Sequence, residues 1–115
     1  MNPETRIQNA IMIALSSAGC TIWRNETSGA WVGKVIHKAG DQVTLNNARM
    51  ITFGLCVGSA DLIGMTPAGR FLAVEVKTKS GRASAEQVKF IAHVNSRGGV
   101  AGIARNTEDA LELIK

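Results

Sequence analysis

The sequence predicts an α/β domain, and three observations support this prediction. Apolar residues recur at helical spacing between Ile7 and Ala18. Two short apolar runs, Asp61–Met65 and Phe71–Lys77, flank a turn that contains proline and glycine, which is typical of a β-hairpin. Residues Ser84–Gln87 form a capping-box pattern that opens a second helix, and the run Val100–Ala104 follows it as a buried strand. Helices that alternate with strands in this way favour a central sheet flanked by helices.

Length and composition limit the class of protein. The chain has 115 residues, 45% of them hydrophobic, and a formal net charge of +4. We expect one globular domain over residues 1–115, with a radius of gyration of about 13 Å. No apolar run reaches the length of about 18 residues that a membrane span needs, and the N-terminus lacks the basic start of a secretion signal, so a soluble cytoplasmic protein is expected. Cys20 and Cys56 have no partners at metal-ligand spacing and are expected to be buried free thiols.

The first helix is expected to begin at Pro3, after Asn2 as its cap, and to end at Gly19. Its apolar surface is broader than one stripe, so either the helix is nearly enclosed or a second face meets another subunit. In the helix after Ser84, the residues expected to face inward are Val88, Ile91, Ala92 and Asn95. The β-rich region in between is expected to contain strands over Thr21–Arg24, Ala30–His37, Gln42–Leu45 and Arg49–Leu55.

The register of the predicted hairpin brings two acidic residues together. A turn centred on Ala68 pairs Met65 with Phe71. In the same register Asp61 lies directly across from Glu75, and directly opposed side chains are about 4.5 to 5.5 Å apart at Cβ. Two carboxylates this close repel each other unless a cation lies between them. Because Mg²⁺ prefers oxygen ligands and takes one or two protein carboxylates, both residues are candidate ligands for it.

Lys77 follows Glu75 by two residues and projects from the same face of the strand. Its ammonium group could hold or help to deprotonate an attacking water and could neutralise charge that develops on a phosphate. Two carboxylates, a hard cation and a lysine together favour phosphodiester hydrolysis. The alternative is the solvent face of an ordinary edge hairpin, but opposed acids are disfavoured there, and Lys79 and Arg82 continue a basic run beside the site where a phosphate backbone could lie.

Three motifs in this order resemble a known family. They are the Gly58–Gly64 strand with its aspartate, the Phe71–Lys77 strand with its Glu-x-Lys, and the Ser84–Gln87 helix start. Together they resemble the VRR-NUC group of the PD-(D/E)xK nuclease superfamily, in its stand-alone phage or bacterial form, over residues 54–104 and more loosely over the first helix. The resemblance implies a restriction-endonuclease-like core with a mixed central sheet in the order αβββαβ. Ala60 departs from the pattern, because the family usually has a proline before the aspartate.

The resemblance also implies a set of site residues. Asp61, Glu75 and the backbone carbonyl of Val76 would bind Mg²⁺ or Mn²⁺, and Lys77 would be the catalytic lysine. Glu4 matches a glutamate that family members often place near the metal from the first helix. The alternative for Glu4 is an exposed acid in the first helical turn, where the helix dipole favours it.

Further candidates surround this set. Gln87 matches a glutamine that the family favours on the helix after the catalytic strand, although the capping box explains it equally well. Lys79 and Arg82 are candidate DNA-binding residues. Trp23 and Trp31 could stack on bases but are expected to be packing residues.

The expected function is therefore a Mg²⁺- or Mn²⁺-dependent DNA endonuclease. The resemblance points to structure-selective cutting of branched DNA such as Holliday junctions. Because a small subunit has one site and cuts one strand, we expect a homodimer or a higher symmetric assembly. The alternatives are a DNA-binding or assembly module that keeps the fold but does not cut, and a nuclease that acts on RNA.

Overall fold

The computed structural model describes residues 1–115 and contains three helices and six strands. The α/β class is confirmed. Without β2, β3 and α3, the chain order is the predicted αβββαβ. The helices are α1 (Pro3–Ser17), α2 (Ala85–Ser96) and α3 (Thr107–Leu113), and the strands are β1 (Thr21–Arg24), β2 (Ser28–Ala39), β3 (Gln42–Phe53), β4 (Leu62–Met65), β5 (Phe71–Val76) and β6 (Val100–Ala104).

Four strands form a mixed central sheet in the order β1-β4-β5-β6. The pairs β1–β4 and β4–β5 are antiparallel, whereas β6 runs parallel to β5 after the α2 crossover. Met65 pairs with Phe71 and Ile63 with Ala73, which confirms the predicted hairpin register. Glycines end α1 and α2 in the left-handed conformation, at Gly19 and Gly98, as is usual for helix C-termini.

Helices cover both faces of the sheet, so β5 is buried on both sides. On one face, Leu72 and Val74 of β5 share a core cluster with Ile11 and Leu15 of α1, and α3 adds to the same cluster. On the other face, Ala73 packs with Val94 of α2 and with neighbouring small residues. Side chains alternate along a strand, so the face that takes Ala73 also takes Glu75. The fold thereby directs an acidic side chain towards α2.

The inward face of α2 differs from the predicted one. Val88 is 54% exposed and Ala92 is also exposed, so the prediction for these two residues was wrong. The helix instead turns Gln87, Phe90, Ile91 and Val94 towards the sheet, a set with the spacing i, i+3, i+4, i+7 of one helical face. Val88 lies one position outside that face.

The strands β2 and β3 form a separate two-stranded sheet, which we call the arm (residues 28–53). The sequence predicted a short hairpin and a separate strand at Arg49–Leu55, but β3 runs without a break from Gln42 to Phe53. Register shifts lie between Val32 and Lys34 and between Val35 and His37, and such bulges interrupt the alternation from which strands are recognised. All residues of the two strands except Val32 and Leu45 are exposed.

The arm makes the molecule elongated. Its dimensions are 52 × 30 × 28 Å and its radius of gyration is 16.9 Å, so the expectation for a compact chain was too small. Trp23 and Trp31 are 54% and 63% exposed, which corrects their prediction as packing residues. Cys20 is buried as expected, but Cys56 is exposed because it lies in the loop after the arm. None of the helices is long and apolar enough to cross a membrane.

Candidate active site

Glu75 is the central acidic residue of the candidate site and is almost completely buried, with 2% of its surface exposed. One carboxylate oxygen, Oε1, accepts a hydrogen bond of 3.1 Å from Nε2 of Gln87. The ammonium of Lys77 lies 3.7 Å from the same oxygen. The other oxygen, Oε2, is buried and has no hydrogen-bond partner. An unpartnered carboxylate oxygen in the interior is costly, so this atom is poised for a group that the protein itself does not supply.

Asp61 lies one residue before β4, which begins at Leu62 rather than at the predicted Asp61. Its Oδ2 accepts a hydrogen bond of 2.9 Å from the backbone N–H of Val76. Leu62 pairs with Val74, so one further step of the register sets Asp61 opposite Glu75, as the sequence predicts. Beyond the end of β4, the Asp61 carboxylate thus takes the place of a β4 backbone carbonyl as the acceptor for an N–H group of β5. This hydrogen bond fixes the carboxylate beside Glu75.

Burial and the neighbouring Asp61 carboxyl group strongly affect the charge of Glu75. Burial, followed by the neighbouring Asp61 carboxylate, raises the pKa of Glu75 from 4.5 to about 8. Lys77 opposes this shift and Glu4 adds to it. Removal from water disfavours the ionised form, and a neighbouring like charge disfavours it further. A cation bound beside both oxygens would offset both effects.

The donor set fits a hard divalent cation. Glu75 offers a buried, unpartnered oxygen, and Asp61 contributes a second carboxylate on the same side of the hairpin. No three His, Cys, Asp or Glu side chains gather into a group that could hold an ion. Two carboxylates, with main-chain oxygen and water, are sufficient for Mg²⁺, which commonly binds proteins through only one or two carboxylates.

Glu4 lies in the first turn of α1, next to the Asn2 cap, whose side chain accepts a hydrogen bond from Thr5 N. Glu4 is partly buried and contributes to the raised pKa of Glu75. Its charge thus reaches Glu75, but it does not join Asp61 and Glu75 as a third acid of one cluster. Helix α1 packs on the opposite face of the sheet from α2, which accounts for the separation.

Gln87 combines the two roles that the sequence left open. Its Oε1 accepts a hydrogen bond of 2.8 Å from the backbone N–H of Ser84, while the Ser84 side chain accepts one from Gln87 N, so the capping box is present. The amide nitrogen of the same side chain donates to Glu75. The cap therefore holds the amide in position to bind the buried carboxylate.

The basic run follows directly from β5. Strand β5 ends at Val76, so Lys77 lies just outside the strand, not inside it as predicted, and its side chain is 18% exposed. Lys79 and Arg82 are exposed. The sequence reasoning missed Arg105, whose guanidinium donates to the main-chain oxygens of Thr78 and Gly81, each at 2.6 Å, and to that of Lys79 at 3.4 Å. Arg105 thereby holds the loop that displays the basic run.

A polar cleft of about 640 Å³ lies beside the carboxylates. It is bordered by the end of β1, the loop before Asp61 and the first turn of α2, and Asp61 and Gln87 both line it. Arg24, another residue that the sequence reasoning missed, lines it too; its guanidinium donates to Gln8 Oε1 at 2.9 Å and to Asn9 Oδ1. A single arginine in a short strand carries no local signal of this role, because its position depends on how α1 packs beside β1.

Comparisons with known proteins agree with this geometry. The family model of the VRR-NUC domain matches residues 2–108. A solved structure described as a VRR_NUC domain superimposes with a TM-score of 0.61 at 16% sequence identity, covering 99% of this chain and 96% of the other. At that identity the likeness shows the fold alone. A comparison with curated proteins gave no match. The match over nearly the whole chain shows that the protein belongs to the VRR-NUC domain family, a family of nuclease domains.

Proposed function

We propose that the chain is a single-domain, Mg²⁺- or Mn²⁺-dependent endonuclease that hydrolyses phosphodiester bonds in DNA. The observation that carries this proposal is the buried, unpartnered Oε2 of Glu75, beside Asp61 and with Lys77 at 3.7 Å from the other carboxylate oxygen. A structural ion pair would not leave a buried carboxylate oxygen without a partner and with a pKa raised to about 8. A site that binds a divalent cation requires such an oxygen.

In this proposal Asp61, Glu75 and the Val76 carbonyl hold the cation, with Glu4 as an outer acid. The cation, when bound, polarises the phosphate and lowers the pKa of a water molecule. Gln87 keeps Glu75 oriented through its 3.1 Å hydrogen bond. The ammonium of Lys77, 3.7 Å from Glu75 Oε1, would neutralise negative charge on the phosphate and orient the attacking water.

The proposed DNA path follows the charges around the cleft. Lys79 and Arg82 lie on the loop after β5, and Arg24, at the end of β1, lines the cleft. Contacts of this kind bind phosphates and carry no sequence information. They therefore suit a nuclease that selects the shape of its substrate, such as branched DNA with a four-way junction.

A cleavage panel tests the proposal. Single-stranded, duplex, flap and four-way-junction DNA, with a matched single-stranded RNA, are incubated with Mg²⁺ or Mn²⁺ and the wild type, Glu75→Gln or Lys77→Ala. We expect metal-dependent cleavage of branched DNA, and a loss of at least about 100-fold in both variants, as is typical when a transition-state contact is removed. Glu112→Gln, on the exposed surface of α3, is the matched control and should cut normally. Equal activity in all four proteins would contradict the proposal.

The competing function is a DNA-binding or assembly module that does not cut. It would apply if Ala60, in the place of the family's usual proline, let the loop move Asp61 out of position. Calorimetric titration with Mn²⁺ separates the two functions. A nuclease should bind the ion and lose that binding in Asp61→Ala, whereas a simple binding module has no reason to bind it.

We also propose that the chain acts as a homodimer, and the arm is the surface that supports this. A two-stranded hairpin alone is at best marginally stable in water. The arm nevertheless exposes Trp31, Val35, Ile36 and Met50 by 51 to 63% each. It carries only three cations, so phosphate contacts alone would not cover these side chains.

The dimensions of the arm fit a symmetric pair. Twelve residues per strand extend about 40 Å, and two strands present a ribbon about 10 Å wide, or roughly 400 Å² on each face. A stable interface buries about 800 Å² per partner, so both faces of the arm, or one face and part of the body, would be covered by a second copy. Two sites related by a two-fold axis could then cut two strands. A monomer mass in light scattering at working concentration would overturn this proposal.

A further inference from the structure

The side chain of Asn25 is joined to the loop before Asp61 by three hydrogen bonds. Its Nδ2 donates to Ser59 Oγ at 2.8 Å and to the carbonyl of Ala60 at 2.9 Å. Its Oδ1 accepts from the backbone N–H of Leu55 at 3.3 Å. The Asn25 backbone N–H also donates to the carbonyl of Asp61 at 2.7 Å. One residue at the end of β1 thus contacts both ends of residues 55–61.

Two neighbouring residues complete this network. Ser59 is buried, with 7% exposure, and its hydroxyl lies 3.0 Å from the hydroxyl of Thr27. Its backbone N–H donates to the carbonyl of Cys56 at 3.0 Å, which closes a tight turn. Asn25, Thr27 and Ser59 are therefore linked to one another and to the backbone of the loop by hydrogen bonds. We call Asn25, Thr27 and Ser59 the polar clamp.

The loop needs such a clamp because nothing in its own sequence stiffens it. It contains Gly54 and Gly58, both in the left-handed conformation, and Ala60 offers no ring to fix the backbone. The first turn of α2 presses against it, since a Cβ at Gly58 would lie 2.7 Å from Glu86. A loop held only by that contact would leave the Asp61 carboxylate free to turn away from Val76.

We propose that Asn25 is a positioning residue that fixes the Asp61 carboxylate for the cation, taking the role that a proline before the aspartate would otherwise have. The inference rests on the proposed function for its cation, but the position of Asp61 can be read without any metal. The backbone N–H of Val76 donates to Asp61 Oδ2. This N–H points away from β6, so the Asp61 carboxylate is its hydrogen-bond acceptor. Its exchange with solvent therefore reports where Asp61 is.

The chain offers a matched control for Asn25. Asn95 on α2 also binds the backbone through both polar atoms of its side-chain amide. It donates to the carbonyl of Ala101 at 3.0 Å and accepts from Ala101 N at 2.9 Å. It lies eight residues after Gln87 on the same helix, about 12 Å further along the axis. Asn95→Ala should cost a similar amount of stability without disturbing the carboxylates.

The experiment compares Asn25→Ala, Ser59→Ala and Asn95→Ala with the wild type by amide hydrogen exchange in the absence of metal. In Asn25→Ala we expect the protection of Val76, relative to Val74 within β5, to fall roughly two- to tenfold, the value of one net hydrogen bond. Ser59→Ala should show a smaller change in the same direction. In Asn95→Ala the ratio of the two amides should remain that of the wild type.

Calorimetry with Mn²⁺ adds the second readout. The dissociation constant of Asn25→Ala should rise about 10- to 100-fold, as is usual when a residue that orients a metal ligand is lost. Asn95→Ala should bind as the wild type does, even if both variants melt at the same lower temperature. The inference is overturned if Val76 keeps its relative protection in Asn25→Ala. A second outcome separates the two proposals. If the wild type binds no Mn²⁺ but Asn25→Ala still lowers the relative protection of Val76, the proposed function is contradicted and the positioning role of Asn25 is supported.

Discussion

Strand β5 and the arm differ in how their side chains match their surroundings: β5 buries an acidic residue, whereas the arm exposes large apolar residues to solvent. In β5 every residue from Leu72 to Val76 is buried, including Glu75. In the arm nearly all residues are exposed, including Trp31 and Ile36. Burial here follows from the layers that cover a strand: β5 lies between helices on both faces, whereas β2 and β3 pair only with each other. An acid in the interior and large apolar groups in solvent are both unfavourable. Each region therefore supports one of the proposals above, a bound cation beside Glu75 and a second copy of the chain on the arm.

The largest difference between the two regions should appear in a pair of core and arm substitutions. Leu72→Ala deletes a side chain with no exposed surface and should lower the free energy of unfolding by about 2 to 5 kcal/mol. Val43→Ala in the arm, 49% exposed, should change it by less than about 0.5 kcal/mol. Urea denaturation of dilute protein measures both. Equal losses would mean that the arm is packed as tightly as the body.

The pH dependence of stability tests the buried acid. In the metal-free folded protein Glu75 keeps its proton up to about pH 8, whereas in the unfolded chain it loses it near 4.5. Between these values unfolding releases a proton, so the free energy of unfolding should decrease as the pH rises, by at most about 1.4 kcal/mol per pH unit. The stabilisation is fully present below pH 4.5 and is lost above about 8.

Glu75→Gln is the control for that measurement, because an amide does not titrate. Urea denaturation in the presence of EDTA measures the free energy of unfolding at each pH. The decrease that comes from Glu75 should appear in the wild type and be absent from Glu75→Gln. Saturating Mn²⁺ should remove it from the wild type by stabilising the ionised carboxylate. A wild-type slope that persists unchanged in Glu75→Gln would assign the effect to another group.

The smallest effect on the body should come from shortening the arm. Ala30 and Ile51 are a cross-strand pair, so residues 31–50 can be replaced by Asn-Gly, which forms a tight two-residue turn. We expect the melting temperature of the dilute protein to change by only a few degrees, because the arm contributes nothing to either core cluster. The same variant should be a monomer in light scattering. Ile13→Lys is the comparison, since Ile13 is 69% exposed on α1. If Ile13→Lys is a monomer and the variant with the shortened arm is still a dimer, the interface lies on α1 and not on the arm.

Local signals predicted the parts of the fold that depend on local chemistry. The Asn2 and Ser84 caps fix where α1 and α2 begin, and both caps are present as hydrogen bonds. The turn around Ala68 fixed the β4–β5 register, and with it the approach of Asp61 to Glu75. The arm was predicted poorly, because its two bulges break the alternation of side chains and its exposure cannot be read from apolar composition.

Tertiary structure decided what lies around the carboxylates. Arg24, Asn25 and Arg105 come from separate segments, and no local pattern marks them, since each acts through main-chain or amide groups that only folding brings near. The burial of Glu75 likewise depends on α2 covering the sheet.

The sequence by itself determined the α/β class, the hairpin register and the pair of acids, because turn geometry and side-chain alternation act over a few residues. Only the tertiary structure decided that Glu75 loses nearly all contact with water, that Val76 N–H donates to Asp61 while Asn25 binds the loop before it, and that the arm forms a sheet of its own. These features depend on packing between segments that are distant in the chain. The energy of such packing cannot be predicted from a pattern of neighbouring residues.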